Sequence, residues 1–387
     1  MPSGWASASA SARTSTRCSG SGARPTVPPL RVLAFGTYQR DYPRNAQVRS
    51  ALQRAGATVL EHHLSVWEGR RAAWSAGATA VARLALAEAR LALASGRLPP
   101  ADVLLVGYPG HADVPAARLA ARGRPVVLDP LISLHDTLVD DRGRFRPGSL
   151  AARTLAAIDR AALRGADLVV ADTQAQASFY AERFGVAPER LRVCFVGAED
   201  RLFRPLQRPG RAFHALFVGK LIPLHGLETI LAAARLAPEL PFRIVGSGQL
   251  ASVLRRRPPN VEHVPWVAYE RLPALYAAAG CALGIFGASP KALRVIPNKA
   301  YQALACATPL VTADSPAARE LLRDGIDALL VPPGDPGALA AAVRRLAGDP
   351  PYARSLGRAG RQAYERLASE EVLGARWRSL LEELLAS

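Results

Sequence analysis

The sequence predicts an α/β protein made of two Rossmann-like domains, each a doubly wound parallel sheet, that face each other across a cleft. Short apolar runs bounded by Gly, Pro and Asp alternate with stretches of helical period along most of the 387 residues. Such runs are typical of strands buried on both faces of a parallel sheet. The alternation stops once, at the polar segment 199–213, and then restarts. Two repeats joined by one linker therefore predict two domains of this kind.

The elements follow in order along each repeat. The first repeat predicts strands at 30–35, 57–63, 101–109, 124–130, 166–173 and 191–197, with helices near 45–55, 77–95, 113–122, 149–163 and 174–184. The second predicts strands at 214–219, 241–246, 261–266, 281–286, 309–314 and 327–333, with helices at 226–237, 270–279, 298–307, 316–323 and 335–347. The tail, 352–387, predicts two or three further helices.

These patterns set the domain boundaries. Residues 1–28 are rich in Ser, Ala, Arg and Gly and free of acidic residues, so we expect disorder, and their lack of an apolar core excludes a secretory signal. We expect an N-terminal domain at 29–200, a linker at 201–213 and a C-terminal domain at 214–365. The last segment, 366–387, is expected to form a helix that packs back on the N-terminal domain.

Composition narrows the classes of partner. The formal net charge is +17, and only three of the 49 basic residues are lysines. A basic surface favours a nucleotide, an acidic membrane face or nucleic acid, although a merely solvated basic surface explains the charge equally well. Aromatic residues make up only 6%, and no stacking platform is evident, which argues against nucleic acid. No apolar run approaches the roughly 18 residues that span a bilayer.

Several kinds of site are excluded by spacing. The four cysteines stand far apart without a CxxC pair, which excludes a cysteine zinc site and a disulfide framework and fits a reducing, cytoplasmic setting. No DxD triplet occurs, and the spacing of His and Asp predicts no metal site. The Gly-Ser-Gly at 246–248 lacks the third glycine of a dinucleotide fingerprint.

Candidate ligands lie where strands of the second repeat are predicted to end, because parallel sheets bind ligands at that edge. In "FVGKLIPLHG" a strand ends at Gly219, and Lys220 can hold a phosphate as a point charge. His225 fits a phosphate or sugar contact and fits helix-start packing equally well. In "IVGSGQL", Gly246 and Gly248 allow a ligand to approach the backbone, although a plain turn has the same pattern.

A third loop, "GASPKALRVIPNKAYQALA", opens a helix with a lysine. Lys291 and Arg294 add positive charge, and Pro297 suits the first helical position. The free amides from Asn298 to Ala300 can point at an anion. Because a cation is electrostatically unfavourable at a helix N-terminus, Lys299 there predicts a negatively charged ligand such as a diphosphate, although a structural helix start with Lys299 in solvent has the same sequence.

The fourth loop, "VTADSPAARELL", carries structural signals. Asp314 or Ser315 can cap the helix, with Pro316 at its first position. Glu320 is expected to be exposed or to form a salt bridge.

Two polar segments of the first repeat suit an acceptor. "FGTYQRDYPRNAQ" follows the first strand, although an ordinary surface loop has the same composition. "LDPLISLHDTLVDDR" gathers a histidine with several aspartates, which suits a general base or an orienting group, although a lone His–Asp pair is more often structural. The candidates are Arg40, Arg44, Asn45, Asp129, His135 and Asp136.

The second repeat resembles the nucleotide-binding half of glycosyltransferase family 4. The resemblance rests on "HALFVGKLIPLHGLETI", "FRIVGSGQL" and "VIPNKAYQALACATPLVTADSP", and "VGAEDRLFRP" is similar to the family's interdomain signature. It covers about 30–365 and implies the GT-B architecture, with a nucleotide-activated sugar as donor and retention of configuration without a metal. By this resemblance Lys220 holds the diphosphate, and Gly246 and Gly248 line the nucleotide.

One departure from the family pattern concerns its two glutamates, which are separated by seven residues and precede "A-[ML]-A". Aligning on "ALA" at 303–305 places Arg294 and Gln302 at those positions. Arg294 cannot copy the first glutamate, whereas Gln302 can still accept a hydrogen bond from a ribose. The segment "RVIPNK" resembles that of a subgroup in which Asn298 and Lys299 take over part of the donor binding done by these glutamates.

The sequence therefore predicts a retaining hexosyltransferase that moves a sugar from a nucleoside-diphosphate sugar to a hydroxyl acceptor. The expected catalytic groups are Lys220, Lys299 and His135. The expected donor contacts are Gly219, Lys220, His225, Gly246, Gly248, Arg294, Pro297, Asn298, Lys299 and Gln302. The expected acceptor contacts are Arg40, Arg44, Asn45, Asp129 and Asp136. The alternative is a catalytically impaired nucleotide-sugar-binding protein on the same fold.

The expected partners follow from this prediction. The nucleotide sugar is a co-substrate, with no further cofactor and no metal. The acceptor is a saccharide, a lipid-linked saccharide or a small molecule, and no nucleic acid is expected. We expect a cytoplasmic protein, with peripheral contact to the inner membrane face through arginines of the first domain.

Overall fold

The computed structural model describes residues 29–67, 78–94, 97–207 and 212–387. In these ranges the chain forms two six-stranded sheets whose strands pair in parallel. The predicted fold class, two doubly wound α/β domains, is confirmed. The disorder expected for 1–28 and part of the expected linker, 208–211, fall outside the described residues.

The first sheet belongs to the N-terminal domain. Its strands are β1 (Arg31–Gly36), β2 (Thr58–His63), β3 (Val103–Val106), β4 (Val126–Leu128), β5 (Leu168–Ala171) and β6 (Leu191–Val193), in the order β2-β1-β3-β4-β5-β6. Its helices are α1 (Pro43–Arg54), α2 (Ala78–Leu93), α3 (Asp113–Ala121), α4 (Leu150–Gly165) and α5 (Gln174–Phe184). β3, β4 and β5 are buried along their whole length, which explains why their sequences show no polar alternation.

The second sheet has the strand order of a dinucleotide-binding fold. Its strands are β7 (Ala215–Val218), β8 (Phe242–Val245), β9 (Val261–Val264), β10 (Cys281–Leu283), β11 (Leu310–Ala313) and β12 (Leu329–Val331), in the order β9-β8-β7-β10-β11-β12. Its helices are α6 (Leu227–Leu236), α7 (Leu272–Ala278), α8 (Asn298–Ala305), α9 (Pro316–Leu321) and α10 (Pro336–Gly348). The winding reverses between β7 and β10, which opens a crevice at the carboxyl ends of these two strands.

Two long helices end the chain and tie the domains together. α11 (Pro350–Leu367) packs on α8 of the C-terminal domain, and α12 (Glu370–Ala386) packs on α1 of the N-terminal domain. The buried face of α12 includes Leu373, Trp377 and Leu381, which join a cluster with Val32 and Val48. Among the helices of the described ranges, none combines the length and the apolar character needed to cross a bilayer.

A buried ion pair, Arg44–Asp129, fixes the centre of the N-terminal domain. The guanidinium of Arg44 donates to both carboxylate oxygens of Asp129, at 2.8 and 3.1 Å. It also donates to the carbonyls of Cys194 and Phe195, at 3.1 and 2.6 Å, just where β6 ends, four residues earlier than the sequence predicted. Its carbon Cζ lies 5.7 Å from the ring centre of Trp377 on α12.

This pair corrects the expectation that Arg44 and Asp129 contact an acceptor. Their side chains are 1% and 2% exposed, and each charge is neutralised by the other. Fully buried, mutually paired charges have no surface to offer a substrate. The sequence-based expectation was wrong because arginine and aspartate in a polar loop are far more often exposed than buried.

The ion pair predicts a large loss of stability for Asp129→Asn. The substitution leaves the Arg44 charge buried without its counter-charge, so we expect the free energy of unfolding to fall by about 3 kcal/mol or more in urea denaturation followed by circular dichroism. The matched control is Asp102→Asn, which breaks a partly exposed pair with Arg31 and should cost about 1 kcal/mol or less. Equal costs for the two variants would contradict the structural role.

Candidate functional site

The candidate site lies in the crevice outside β7 and β10, where the N-terminal domain faces it. Three loops of the C-terminal domain line it, after β7, β8 and β10. From the other side comes the crossing turn, which we define as residues 136–142, part of the segment between β4 and α4. This turn is a wide helical turn in which the amide of Arg142 donates to the carbonyl of Thr137 at 3.1 Å. Such wide turns recur at functional sites.

Gly219 and Gly246 let the loops after β7 and β8 touch. Gly246 has φ of 141°, and a Cβ there would collide with the carbonyl oxygen of Gly219. The two loops then bond, with the amide of Leu221 donating to the carbonyl of Ser247 at 3.0 Å. Gly248 packs against Leu221 in the same way. The glycines thus bring two loop backbones together, and a contact of Gly246 and Gly248 with a nucleotide stays a prediction.

Lys220 and His225 occupy the two ends of the β7 loop. Lys220 is exposed at the mouth of the crevice, and partial burial together with the charge of Arg142 lowers its pKa. The ring of His225 is buried, and burial followed by the charge of Lys299 lowers its pKa well below the usual range. Its Nδ1 lies within hydrogen-bond distance of the Lys220 carbonyl, so it carries the proton and donates. His225 therefore holds the loop that presents Lys220.

Lys299 lies at the bottom of the crevice with its charge unneutralised. The side chain is buried, and its Nζ lies 4.0 Å from the ring centre of Phe217 on β7. A Cβ at Gly219 would come within 2.9 Å of this nitrogen. Within the described residues Nζ has no hydrogen-bond partner, and burial lowers the pKa of Lys299 well below its usual range. A buried ammonium without a partner is costly, which indicates a site built for an anion.

The start of α8 offers fewer amides than the sequence predicted. Pro297 is the residue before the helix and provides no side-chain cap, and Asn298 is the first helical residue. The amide of Ala300 already donates to the carbonyl of Pro297 at 2.8 Å. This leaves the amides of Asn298 and Lys299 to meet an anion.

Arg294 turns across the cleft instead of into the crevice. Its Nη2 donates to Oδ1 of Asp136, in the crossing turn, at 2.8 Å, and its Cζ lies 3.9 Å from the ring centre of Phe179 on α5. Lys291 hydrogen-bonds Thr137, and its Nζ lies 3.8 Å from Oδ2 of Asp136. Arg294 and Lys291 thus share one carboxylate, which joins the two domains. Donor contact by Arg294 and acceptor contact by Asp136 stay predictions.

Glu320 and Thr173 form a second junction between the domains. The carboxylate of Glu320, on α9, accepts from the amides of Gln174 and Ala175 at 2.7 and 3.0 Å. Thr173 donates to the carbonyl of Arg294 at 2.5 Å. Glu320 was expected to be exposed or salt-bridged; its half-exposed carboxylate instead binds the amides at the start of α5, where a negative charge is favoured.

Gln302 is buried between α8 and α7. Its Oε1 accepts a hydrogen bond from the hydroxyl of Tyr276, on α7, at 3.1 Å. The side chain therefore links α8 to α7. A ribose contact by Gln302 stays a prediction, and it requires this hydrogen bond to be shared or exchanged.

The remaining candidates of the N-terminal domain are scattered. Arg40 is exposed and pairs with Glu61 at 2.8 Å. Asn45 is buried and clamps the loop after β3, donating to the carbonyl of Tyr108 at 2.6 Å and accepting from its amide at 3.0 Å. His135 is partly buried, with Nδ1 3.2 Å from Asp140. Acceptor contacts by Arg40 and Asn45 and a catalytic role for His135 stay predictions.

Two further cations belong to the site: Lys291, which the sequence marked as positive charge without a donor contact, and Arg142, to which it gave no role. Lys291 adds to the charge of the C-terminal side, and Arg142 brings a guanidinium from the N-terminal domain. In the sequence Arg142 follows β4, at the ligand-binding edge of the first sheet. Whether its side chain extends across the cleft depends on how the two domains pack. No cluster of three or more His, Cys, Asp or Glu suited to a metal occurs in the part of the chain that the structure describes.

Comparisons with known proteins agree with this architecture. The family model described as "Glycosyl transferase 4-like domain" matches residues 20–197, and the one described as "Glycosyl transferases group 1" matches 212–349. Among solved structures, sucrose-phosphate synthase from Thermosynechococcus elongatus superposes with a TM-score of 0.73 at 19% identity, covering 92% of this chain and 99% of that one. HepE of Anabaena, in complex with UDP-glucose, gives 0.67 at 17% identity, covering 92% and 100%.

Sequence relatives point to the same family. D-inositol 3-phosphate glycosyltransferase 1 of Catenulispora acidiphila is 29% identical over 305 residues, 69% of this chain and 68% of the relative. The corresponding enzyme of Acidothermus cellulolyticus is 30% identical over 215 residues, and the match spans about half of each protein, 47% and 46%. With one family model on each domain and these relatives, the chain belongs to glycosyltransferase family 4.

Proposed function

We propose that the protein transfers a sugar from a nucleoside-diphosphate sugar to a hydroxyl acceptor, with retention of configuration and without a metal ion. The observation that carries the proposal is the buried, unneutralised ammonium of Lys299 beside the Gly219 turn. It lies at the point where the winding of the second sheet reverses, which is where such sheets bind nucleotides. A donor diphosphate supplies the negative charge that this site lacks.

We assign each group a task in the transfer from its position in the crevice. When the bond between the sugar and the β-phosphate breaks, negative charge develops on the departing diphosphate. Lys220 at the mouth, Lys299 at the bottom and the first amides of α8 stabilise that charge, as donors of an oxyanion hole do. These fixed cations do the work that a metal does elsewhere, which supports a metal-independent reaction. Retention is supported by the usual stereochemistry of the family.

Relatives and neighbours suggest which substrates to test first. HepE of Anabaena was solved with UDP-glucose, so UDP-sugars are the first donors to examine. The relative from Catenulispora acidiphila is named for D-inositol 3-phosphate, so a phosphorylated polyol is the first acceptor to examine. Such an acceptor suits a chain of net charge +17.

A second candidate function is a nucleotide-sugar-binding protein without efficient transfer. It is favoured because Arg294 and Gln302 stand where the family usually has glutamates. Arg294 hydrogen-bonds Asp136, and Gln302 hydrogen-bonds Tyr276. We favour the transferase because the cationic crevice is intact. Donor binding with no transfer and no donor hydrolysis would favour the second candidate.

The proposal predicts that a nucleoside diphosphate stabilises the folded protein. A ligand that binds only the native state at about 100 times its Kd adds about 2.7 kcal/mol, so the melting temperature should rise by several degrees in a screen of UDP-, GDP- and ADP-sugars. The uncharged nucleosides serve as controls and should give little shift. The proposal is abandoned if none of the sugars or their diphosphates raises the melting temperature.

Lys220→Ala should lose turnover without losing the fold. Removing one group that stabilises the departing charge typically lowers kcat about 100-fold or more, and the exposed side chain contributes little to stability. The matched control is Arg255→Ala, an exposed cation elsewhere in the same domain that should keep full activity. Steady-state kinetics with a melting curve for each variant make the comparison. Normal turnover in Lys220→Ala would refute its assigned task.

Lys299 predicts that donor binding takes up a proton. Burial lowers the pKa of Lys299 in the free protein, whereas a bound diphosphate favours the ammonium and raises this pKa again. The affinity for UDP-glucose, whose diphosphate does not titrate near neutrality, should therefore weaken as the pH rises from about 6 to about 9, in calorimetry.

The control for this pH dependence is Lys299→Met. It should bind more weakly at every pH and show a much flatter profile, because the titrating group is gone. A wild-type affinity that stays constant across the range would show that Lys299 does not gain a proton on binding.

A further inference from the structure

The crossing turn, residues 136–142, is the part of the N-terminal domain that reaches the donor crevice. Asp136 and Thr137 hold Arg294 and Lys291, as described above. At its other end the carboxylate of Asp141 lies close to the backbone amide of Leu224 in the β7 loop. The turn therefore contacts two of the three loops that line the crevice.

Contact with the third loop comes from Arg142. Its carbonyl oxygen accepts from the side-chain amide of Gln249 at 3.2 Å, in the loop that follows β8. Gln249 stands next to Gly248, one of the predicted nucleotide contacts. The backbone of Arg142 is thus fixed against the glycine-rich loop of the opposite domain.

The side chain of Arg142 is half-buried and incompletely paired. Its Nε is buried and has no hydrogen-bond partner among the described residues. Its charge contributes, after burial, to the lowered pKa of Lys220. It also contributes to the lowered pKa of His225, on the same loop. The guanidinium therefore lies close to the group expected to hold a phosphate, on the opposite wall of the cleft.

Positive charges outnumber negative ones where the crossing turn meets the crevice. Arg294 and Lys291 share the carboxylate of Asp136, and burial raises the pKa of the neighbouring Asp141, which disfavours its charged form. Lys220, Lys299 and Arg142 are left without a paired carboxylate in the described residues. Like charges held together at partly buried positions repel each other unless an anion lies between them.

We propose that Arg142 of the N-terminal domain is a ligand of the donor diphosphate, so that the diphosphate bridges the two domains. This inference rests on the proposed function. Arginine suits the task because its planar group can donate two hydrogen bonds to one phosphate. The donor then adds a further contact between the crossing turn and the C-terminal domain, and its phosphates complete a site to which both domains contribute.

A phosphate at Arg142 has two sources, the donor and a phosphorylated acceptor. The donor is favoured because Arg142 faces Lys220 and the loop of Gln249, both in the C-terminal domain. Separate titrations with UDP and with D-inositol 3-phosphate distinguish the two sources.

The test uses the full chain with Arg142→Gln, which removes the charge and keeps a polar side chain. Titration calorimetry with UDP, GDP and ADP identifies the tightest diphosphate of the wild type, and the matching nucleoside serves as the phosphate-free probe. We expect Arg142→Gln to weaken the diphosphate about tenfold or more and to leave the nucleoside unchanged. Arg142→Lys should recover part of the affinity.

The matched control is Arg146→Gln, an exposed arginine four residues further on, which should bind like the wild type. Melting curves of all variants show whether the fold is kept.

The outcomes separate this inference from the proposed function. Unchanged diphosphate affinity in Arg142→Gln, with a wild type that binds, overturns the inference alone. A loss that appears only with D-inositol 3-phosphate overturns the assignment to the donor. A wild type that binds no nucleoside diphosphate overturns the proposed function and this inference with it.

Discussion

The structure depends on an unneutralised positive charge placed at the carboxyl edge of the second sheet. The ammonium of Lys299 lies under the Gly219 turn, against Phe217, where it has no hydrogen-bond partner among the residues that the structure describes. An isolated charge in such a position costs several kcal/mol, and an arriving anion recovers much of that cost. The glycines after β7 and β8 and the neutral His225 all serve to hold the backbone that surrounds this one group.

The junction between the domains is polar and specific. Asp136 binds two cations of the opposite domain, and Glu320 binds two amides of α5. Such contacts stabilise only one relative placement of the domains, because a shift of a few ångströms leaves buried charges unpaired. Arg294, at a position where the family usually has a glutamate, serves this junction. The departure from the family pattern therefore adds an ion pair between the two domains.

The C-terminal helices couple the two domains through the hydrophobic core. α11 packs on α8, whose first turn carries Lys299, and α12 packs on α1, which carries Arg44. Trp377 of α12 covers the buried pair that Arg44 forms with Asp129. A change in the width of the cleft would therefore displace both α11 and α12, since protein interiors are close-packed and transmit displacement.

The sequence by itself determined the two βα repeats, because apolar runs of strand length between helical periods have few alternative structures. It also determined the family, and it marked Lys220 and Lys299, since a lysine at the tip of a strand or at the start of a helix is unusual. Tertiary structure alone decided the partners of the other candidates. Arg44, Asp129 and Gln302 look like surface polar residues in the sequence, but packing buries them. Arg142 joins the site only because the two domains meet across it, and contacts between residues far apart in the chain leave no local pattern to read.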